Sequence, residues 1–553
     1  MRRIFMFLLL AGAATFNAHS QLKIDNAVFF IQSGATVTVQ GDVTSNVDIQ
    51  GTGLLQLKGS TLQNVDMGGF TIPNLELDNA ANATLLNTNA RIGTNLTFTN
   101  GKFQTGNLNL LLASTATITG AGTTRFVWTN GIGQLIKELT ANVTGLELPV
   151  GENSNYRPAY LTTVATYSSA QFGVRVLGAA DANKPPMIGS YLNTNWPVTK
   201  SGITGTASLS GQYIDPTDIS GTEANLVGYF NSGTDWSSVG ETHNTGTNQV
   251  GAPVTSASGV VSGFNKFLAV GARAFLRGAY DTISNTGLMS DLLRTLPFGS
   301  SASTANFPST DPYRVAPYST SFTHVNNSNV ETIANASVLD QPGIDNDIVD
   351  WVYLELRNLV ASPGNTILQT RAALIQRDGD IVDVDAVSPV TFNGQVDGNY
   401  ILTVRHRNHL GLSLDQTSSR NFTETKSLAY NVGKVADLRT ATDPELFGTS
   451  AAYTTFSHPT LTTVNLLWGG NANHATVPFN QVRYSGLNND RDYILITTLA
   501  NNPSGSISNV YHISDINMNK VVRYSGLNND RDFLLIYNLG NNPSTTRTQA
   551  IPN

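Results

Sequence analysis

The chain has 553 residues, 13% of them charged, a net charge of −7 and no Cys. This length predicts three to four domains, each able to bury a core. The weak negative balance without a basic stripe excludes a nucleic-acid partner, and the lack of Cys excludes disulfides, leaving packing, sheet hydrogen bonds and metal to hold the domains.

From the N-terminus, Arg2 and Arg3 precede an apolar stretch at 4–16, and Ala18-His19-Ser20 offers small residues for a cut before Gln21. This order predicts a secretory signal over 1–20, too short to span a membrane. No later segment is long and apolar enough to be transmembrane, and no Cys follows to carry a lipid. The expected location is therefore extracellular or on the outer-membrane surface. Residues 21–145 carry short alternating strands at 35–40, 54–58, 74–77, 95–99, 107–111 and 116–119. Their spacing of roughly twenty residues predicts stacked rungs, a short right-handed β-solenoid. A β-sandwich is the alternative, since alternation alone does not choose.

Near residue 145 the texture changes, with Leu148-Pro149-Val150-Gly151 and Tyr156-Arg157-Pro158 as punctuation. Short strands with Gly, Pro and Asn turns predict a β-sandwich-like domain over 146–272. Alternating runs at 351–357, 371–376, 381–384 and 400–407, with Asp378-Gly379 as a hairpin turn, predict a second β-sandwich over 273–448. The fold class is thus mainly β, closed by a small module at 449–553 that combines helical turns with loops.

That module contains one eleven-residue phrase twice: VRYSGLNNDRD at 482–492 and again at 522–532. Each copy runs into an apolar, helix-like segment and follows short polar residues at alternate positions. Alternating Asp and Asn followed by a later Asp is how a loop wraps a hard cation in oxygen ligands. In the second copy the ligand set is Asp515, Asn517, Asn519, the Val521 carbonyl and Asp530 or Asp532. In the first it is the degenerate set Asn471, Asn473, Asp490 and Asp492, with Ala475 lacking a ligand oxygen and 477–480 inserted. The cofactor expected is calcium. The alternative is two capped units packed together without metal, since Asn and Asp also make turns and caps.

Arg277-Gly278-Ala279-Tyr280-Asp281, Gly287-Leu288-Met289-Ser290-Asp291, and the runs at 351–357, 371–392 and 398–411 resemble segments of large secreted surface proteins of Bacteroidota, of the hemagglutinin-like and adhesin type. The terminal pair resembles a dockerin-like calcium module with an enlarged loop. The likeness covers about 273–553 and is softer over 24–272. It implies surface residence and a cohesin-like partner for the module. It implies Asp and Gly where this chain has Asn519 and Lys520. The missing carboxylate weakens attraction for a dication, and the missing Gly removes the residue best suited to a sharp turn.

Other constellations are weaker. Asp378, Asp380, Asp383 and Asp385 crowd a hairpin tip, which reads as a solvated acidic turn or as a further calcium site. On a strand, Arg405 and Arg407 would point one way, toward Asp383 and Asp385, and His406 the other, into the core. Trp128, Trp196, Trp236 and Tyr229 offer rings that stack on sugars or pack in a core. No nucleophile elbow, zinc-protease motif, phosphate loop or dinucleotide fingerprint occurs. The function expected is a secreted structural or adhesive protein without catalysis, meeting a surface glycan or protein. A carbohydrate-binding component of polymer capture is the alternative, and a polysaccharide lyase or hydrolase ranks below it.

Overall fold

A computed structural model describes residues 21–233, 235–238, 240–358, 366–395, 398–415, 420–421, 426–427, 435–441, 446–448, 450–473 and 480–552. The signal expected at 1–20, Ala475 and the inserted residues 477–479 lie outside the described residues. The protein is mainly β, and it opens with a solenoid of about six turns.

Parallel pairing builds three faces. Leu22–Ile24, Val43–Ser45, Gln63–Asp66, Ala83–Leu85, Phe103–Gln104, Val127–Trp128 and Val150–Glu152 stack in order along one. On another, Val39, Leu57, Leu77 and Phe98 fall in register, and all four are buried. One rung's apolar side chain therefore always lands on the next, and each fully buried Leu or Phe contributes roughly 1.5–3 kcal/mol. The partners lie about twenty residues apart because each turn needs three short strands and three corners. The corners are held by amides. Gln63 donates to the Val39 and Gly41 carbonyls at 3.1 and 2.6 Å and accepts from Gly59 N–H and Asn79 Nδ2 at 2.8 and 2.9 Å. On the outside of the face that buries Val39 and Leu57, Thr38, Gln56, Glu76, Thr97 and Thr119 form one row. Hydrogen bonds of 2.9 and 3.0 Å link Thr38 to Gln56 and Gln56 to Glu76.

The solenoid passes into an antiparallel sheet without a break. Leu135–Leu139 pairs in parallel with Leu110–Leu112 on one side and antiparallel with Ala159–Val174 on the other. Ala159–Val174 then pairs along most of its length with Trp196–Gln212, which meets Gln249–Pro253 and Ser258–Asn265. Lys137 is 4% exposed, and its ammonium donates to the carbonyls of Ala113, Ser114 and Ala116 at 2.7, 3.0 and 2.6 Å. It caps a turn of the solenoid from within.

A nine-stranded sheet follows, seven of its strands in the spatial order Val390–Asn393, Phe267–Arg273, Asp380–Val382, Ile367–Gln376, Ile348–Arg357, Asn399–His406 and His409–Ser413, with Arg420–Asn421 and Val435–Asp437 pairing off that path. Leu374 and Ile375 face Val382 and Ile381 across the Asp378-Gly379 turn, where Gly379 has φ +92°. Every residue of Ile348–Arg357 is buried. The alternation read in this strand therefore marks two covered faces rather than core and solvent, with Asp350 on the side of Val352 and Leu354 and Glu355 on the side of Trp351 and Tyr353. Among the described residues no helix is long and apolar enough to cross a membrane.

Candidate cation loops of the duplicated unit

Each copy of the repeated phrase is a strand, a turn and a short helix. Gln481–Arg483 leads into Asp490–Asp492 and the wide helical turns Tyr493–Thr498; Val521–Arg523 leads into Asp530–Asp532 and Phe533–Asn538. Asn489 and Asn529 are the N-caps, each accepting at 2.8 Å from the backbone N–H of Asp492 or Asp532. Of the Asn and Asp residues able to cap this turn, the amide of Asn489 or Asn529 does so. The strand opening the first copy pairs with Thr546–Thr548 after the second. The strand opening the second pairs with Ser506–Ser508 after the first. Ser485 donates to the Pro543 carbonyl and Ser525 to the Pro503 carbonyl, both at 2.6 Å. Val482 and Val522, Ile494 and Leu534, and Leu499 and Leu539 fill one shared core.

The loops hold their carboxylates inside. Asp530 is fully buried and accepts from Ile516 N–H at 2.9 Å and Arg523 N–H at 2.7 Å. Asp490 does the same in the first copy, accepting from Ala472, Asn473 and Arg483 N–H at 2.8, 3.0 and 2.7 Å. Asp515, also buried, accepts from Asn519 and Lys520 N–H at 3.0 and 2.9 Å. Burial pushes the Asp515 carboxyl up to about 7 against the pull of Arg407. It pushes Asp490 up to about 7. Asp530 stands well above the ordinary carboxyl range, first from burial and then from the neighbouring Asp515 charge. Asp532 faces outward instead. Burial raises it, but bonds from Asn529 and Arg531 leave it below its usual value.

These placements test the fit of a hard cation. Asp515 and Asp530 are close enough to repel one another, and the buried Asn517 Oδ1 has no hydrogen-bond partner among the described residues. Val521 opens its strand, and Asn519 Oδ1 accepts from its N–H at 2.9 Å. Lys520, where the resemblance calls for Gly, has φ +69°, the left-handed backbone that Gly adopts without strain. The second loop therefore suits a dication through Asp515, Asn517 and Asp530, with Asp532 turned away. In the first loop Asn471 stands where the second has Asp515, leaving Asp490, among the described residues, the one buried carboxylate beside Asn473, whose Oδ1 no described residue meets. Asp492 is bound by Arg491 and Asn489 at 2.7 Å each.

The module is seated on the nine-stranded sheet by the segment Arg405-His406-Arg407-Asn408-His409. Arg407 Nε donates to Asp350 at 2.9 Å, and its guanidinium lies 4.3 Å from the Tyr511 ring centroid. Tyr511 donates to the same Asp350 at 2.6 Å, and Arg407 also reaches the His512 carbonyl at 2.5 Å. Asn408 donates to the Asp515 carbonyl at 2.8 Å, tying the seat to the second loop. Gly278 N–H donates to His409 Nε2 at 2.9 Å, so the proton of a neutral His409 sits on Nδ1, which is 3.0 Å from His406 Nδ1. His406 Nε2 in turn donates to Asp350 at 3.0 Å. Burial holds both imidazoles below their ordinary value and hence neutral. Burial also pushes Asp350 up, but Arg407 and His406 more than reverse it.

The cross-strand pairs expected of Arg405 and Arg407 are not formed. Arg405 meets Glu355 at 2.9 Å, while Asp383 is taken by Arg371 at 2.7 Å. The strand ends at Val382, so Asp383 and Asp385 enter a turn in which Asp385 accepts from Val387 and Ser388 N–H. Asp380 pairs with Arg273, and Asp378 is lifted to about 6 by burial and the Asp380 charge. The four carboxylates thus serve separate partners. Among the described residues no three His, Asp or Glu converge as a metal group. Asp350, Glu355, Glu331 and Tyr511 were missed; the signal for the first two was a charge inside an otherwise apolar strand. Trp196, Trp236 and Tyr229 are fully buried, which removes them as exposed sugar platforms. Trp128 is half-buried beneath the Lys102 ammonium. Comparison with known protein families, curated proteins and solved structures finds no match to this chain.

Proposed function

We propose that the chain is a secreted structural and adhesive protein of the bacterial surface, acting without catalysis. In this reading the solenoid projects, the sheets behind it act as rigid spacers, and the duplicated module is a dockerin-like, calcium-stabilised end that meets a cohesin-like partner. The resemblance to hemagglutinin-like and adhesin-type proteins of Bacteroidota supplies the setting. The observation that carries the reading is the second loop, where two buried carboxylates repel one another beside an amide oxygen that no described residue meets. A dication relieves all three conditions together.

Calorimetric titration of the full chain with calcium, paired with thermal melting with and without chelator, tests it. Saturable heat and a raised melting temperature, both lost in Asp515→Asn, are expected. No heat and no shift would leave a metal-free structural repeat and remove the calcium-dependent docking role.

A further inference from the structure

We infer that the cleft between the first antiparallel sheet and the nine-stranded sheet is a binding site for a neutral oligosaccharide. The cleft has a volume of about 620 Å³. That lies within the ~300–1,000 Å³ typical of small-ligand sites, which favour junctions between folding units. Its walls carry amides: Asn265 from one sheet with Asn225 from a neighbouring helical turn, Gln369 and Asn393 from the other sheet, and Asn326 and Asn329 from a loop. The one ammonium on the rim, Lys266, is bound by Glu241 at 3.2 Å.

Gln369 carries the argument. It is 4% exposed, and its Nε2 donates to the Asn326 carbonyl at 2.9 Å, which fixes the amide. Its Oε1 is buried in the cleft wall without a hydrogen-bond partner among the described residues. Asn393 repeats the pattern: Nδ2 donates to the Met187 carbonyl at 2.5 Å and Oδ1 has no partner among the described residues. No described residue meets either acceptor, and a ligand that brings donors to them recovers the cost of leaving them unmet. An apolar ligand would strand all of the amides. An anion would meet acceptors and one already paired ammonium. A ligand whose surface alternates hydroxyl donors and acceptors, without charge, satisfies the wall.

The inference does not depend on the terminal loops, so a failed calcium titration leaves it standing. The test is calorimetry of the full chain against cellotetraose, maltotetraose, xylotetraose and mannotetraose, with tetragalacturonate as the charged control. At least one neutral tetrasaccharide is expected to bind saturably. Ala224→Trp, at an exposed position on the rim, should weaken it at least tenfold with no change in melting temperature, and Gln369→Leu should also weaken it. Val164→Trp, exposed and outside the cleft, should not. No saturable heat at millimolar sugar, preference for the uronate, or full affinity in Ala224→Trp would overturn the assignment.

Discussion

Arg407 and Asp350 are both fully buried, and removing Arg407 leaves the Asp350 charge inside with only neutral donors, His406 and Tyr511 among them, to meet it. Arg407→Leu should therefore destabilise the chain by about 3–5 kcal/mol in urea denaturation. Replacing both by apolar residues should cost less, because no lone charge remains. Asp490 makes a second prediction. Its carboxyl is held at about 7 against an ordinary 3.8, so the folded chain keeps a proton that the unfolded chain has released. The sign follows: this contribution to stability is complete below about pH 3.8 and is lost as pH rises through about 7, by on the order of 4 kcal/mol. Buried neutral histidines such as His409 act oppositely between their lowered value and 6.5. The measurable quantity is thus the difference between wild type and Asp490→Asn in chelator across a pH series, which should narrow or reverse as pH rises. The loop residues at 515–532 were legible because polar residues at alternate positions have little use in a core. The partners of Arg405 and Arg407 were not, since pairing across a sheet depends on strand order, which alternation does not encode.

Elements of the solenoid were legible for a physical reason: a rung of three short strands leaves a mark every twenty residues. What the period hid was the corner. Gln63 reads as an ordinary polar residue, yet it makes four hydrogen bonds inside the stack, and Gln63→Met should cost about 2–4 kcal/mol in thermal or urea unfolding. The nine-stranded sheet was legible as strands but not as a two-sided core, because its buried charges imitate a solvent face. Within the duplicated unit, the left-handed position after the second helical turn is Gly540, at φ +64°, and its counterpart is Ala500, at φ +50°. Ala500→Gly should raise stability by up to about 1 kcal/mol by removing the steric cost of Cβ there. A matched Gly540→Ala should lose a similar amount.

At the scale of the whole molecule, solenoid, sheets and terminal unit are joined by strand pairing and buried polar contacts. The ladder between Leu135–Leu139 and Ala159–Val174 crosses one junction, and Arg407 crosses another. Chelator should lower the melting temperature of the full chain, and Asn408→Ala, which unties the seat from the Asp515 carbonyl, should shrink that shift. The exchange of strands between the two repeats has a consequence of its own. Neither repeat can complete a ladder alone: the strand opening each copy is matched by the strand closing the other. A single copy would have found its complement in a second identical molecule, so the duplication has the form of a symmetric dimer whose halves became covalently linked. Severed at the exposed Asn509, just beyond the strand that closes the first copy, the two halves should remain clasped through both ladders and reassemble after denaturation, making this end of the chain a natural split-protein pair.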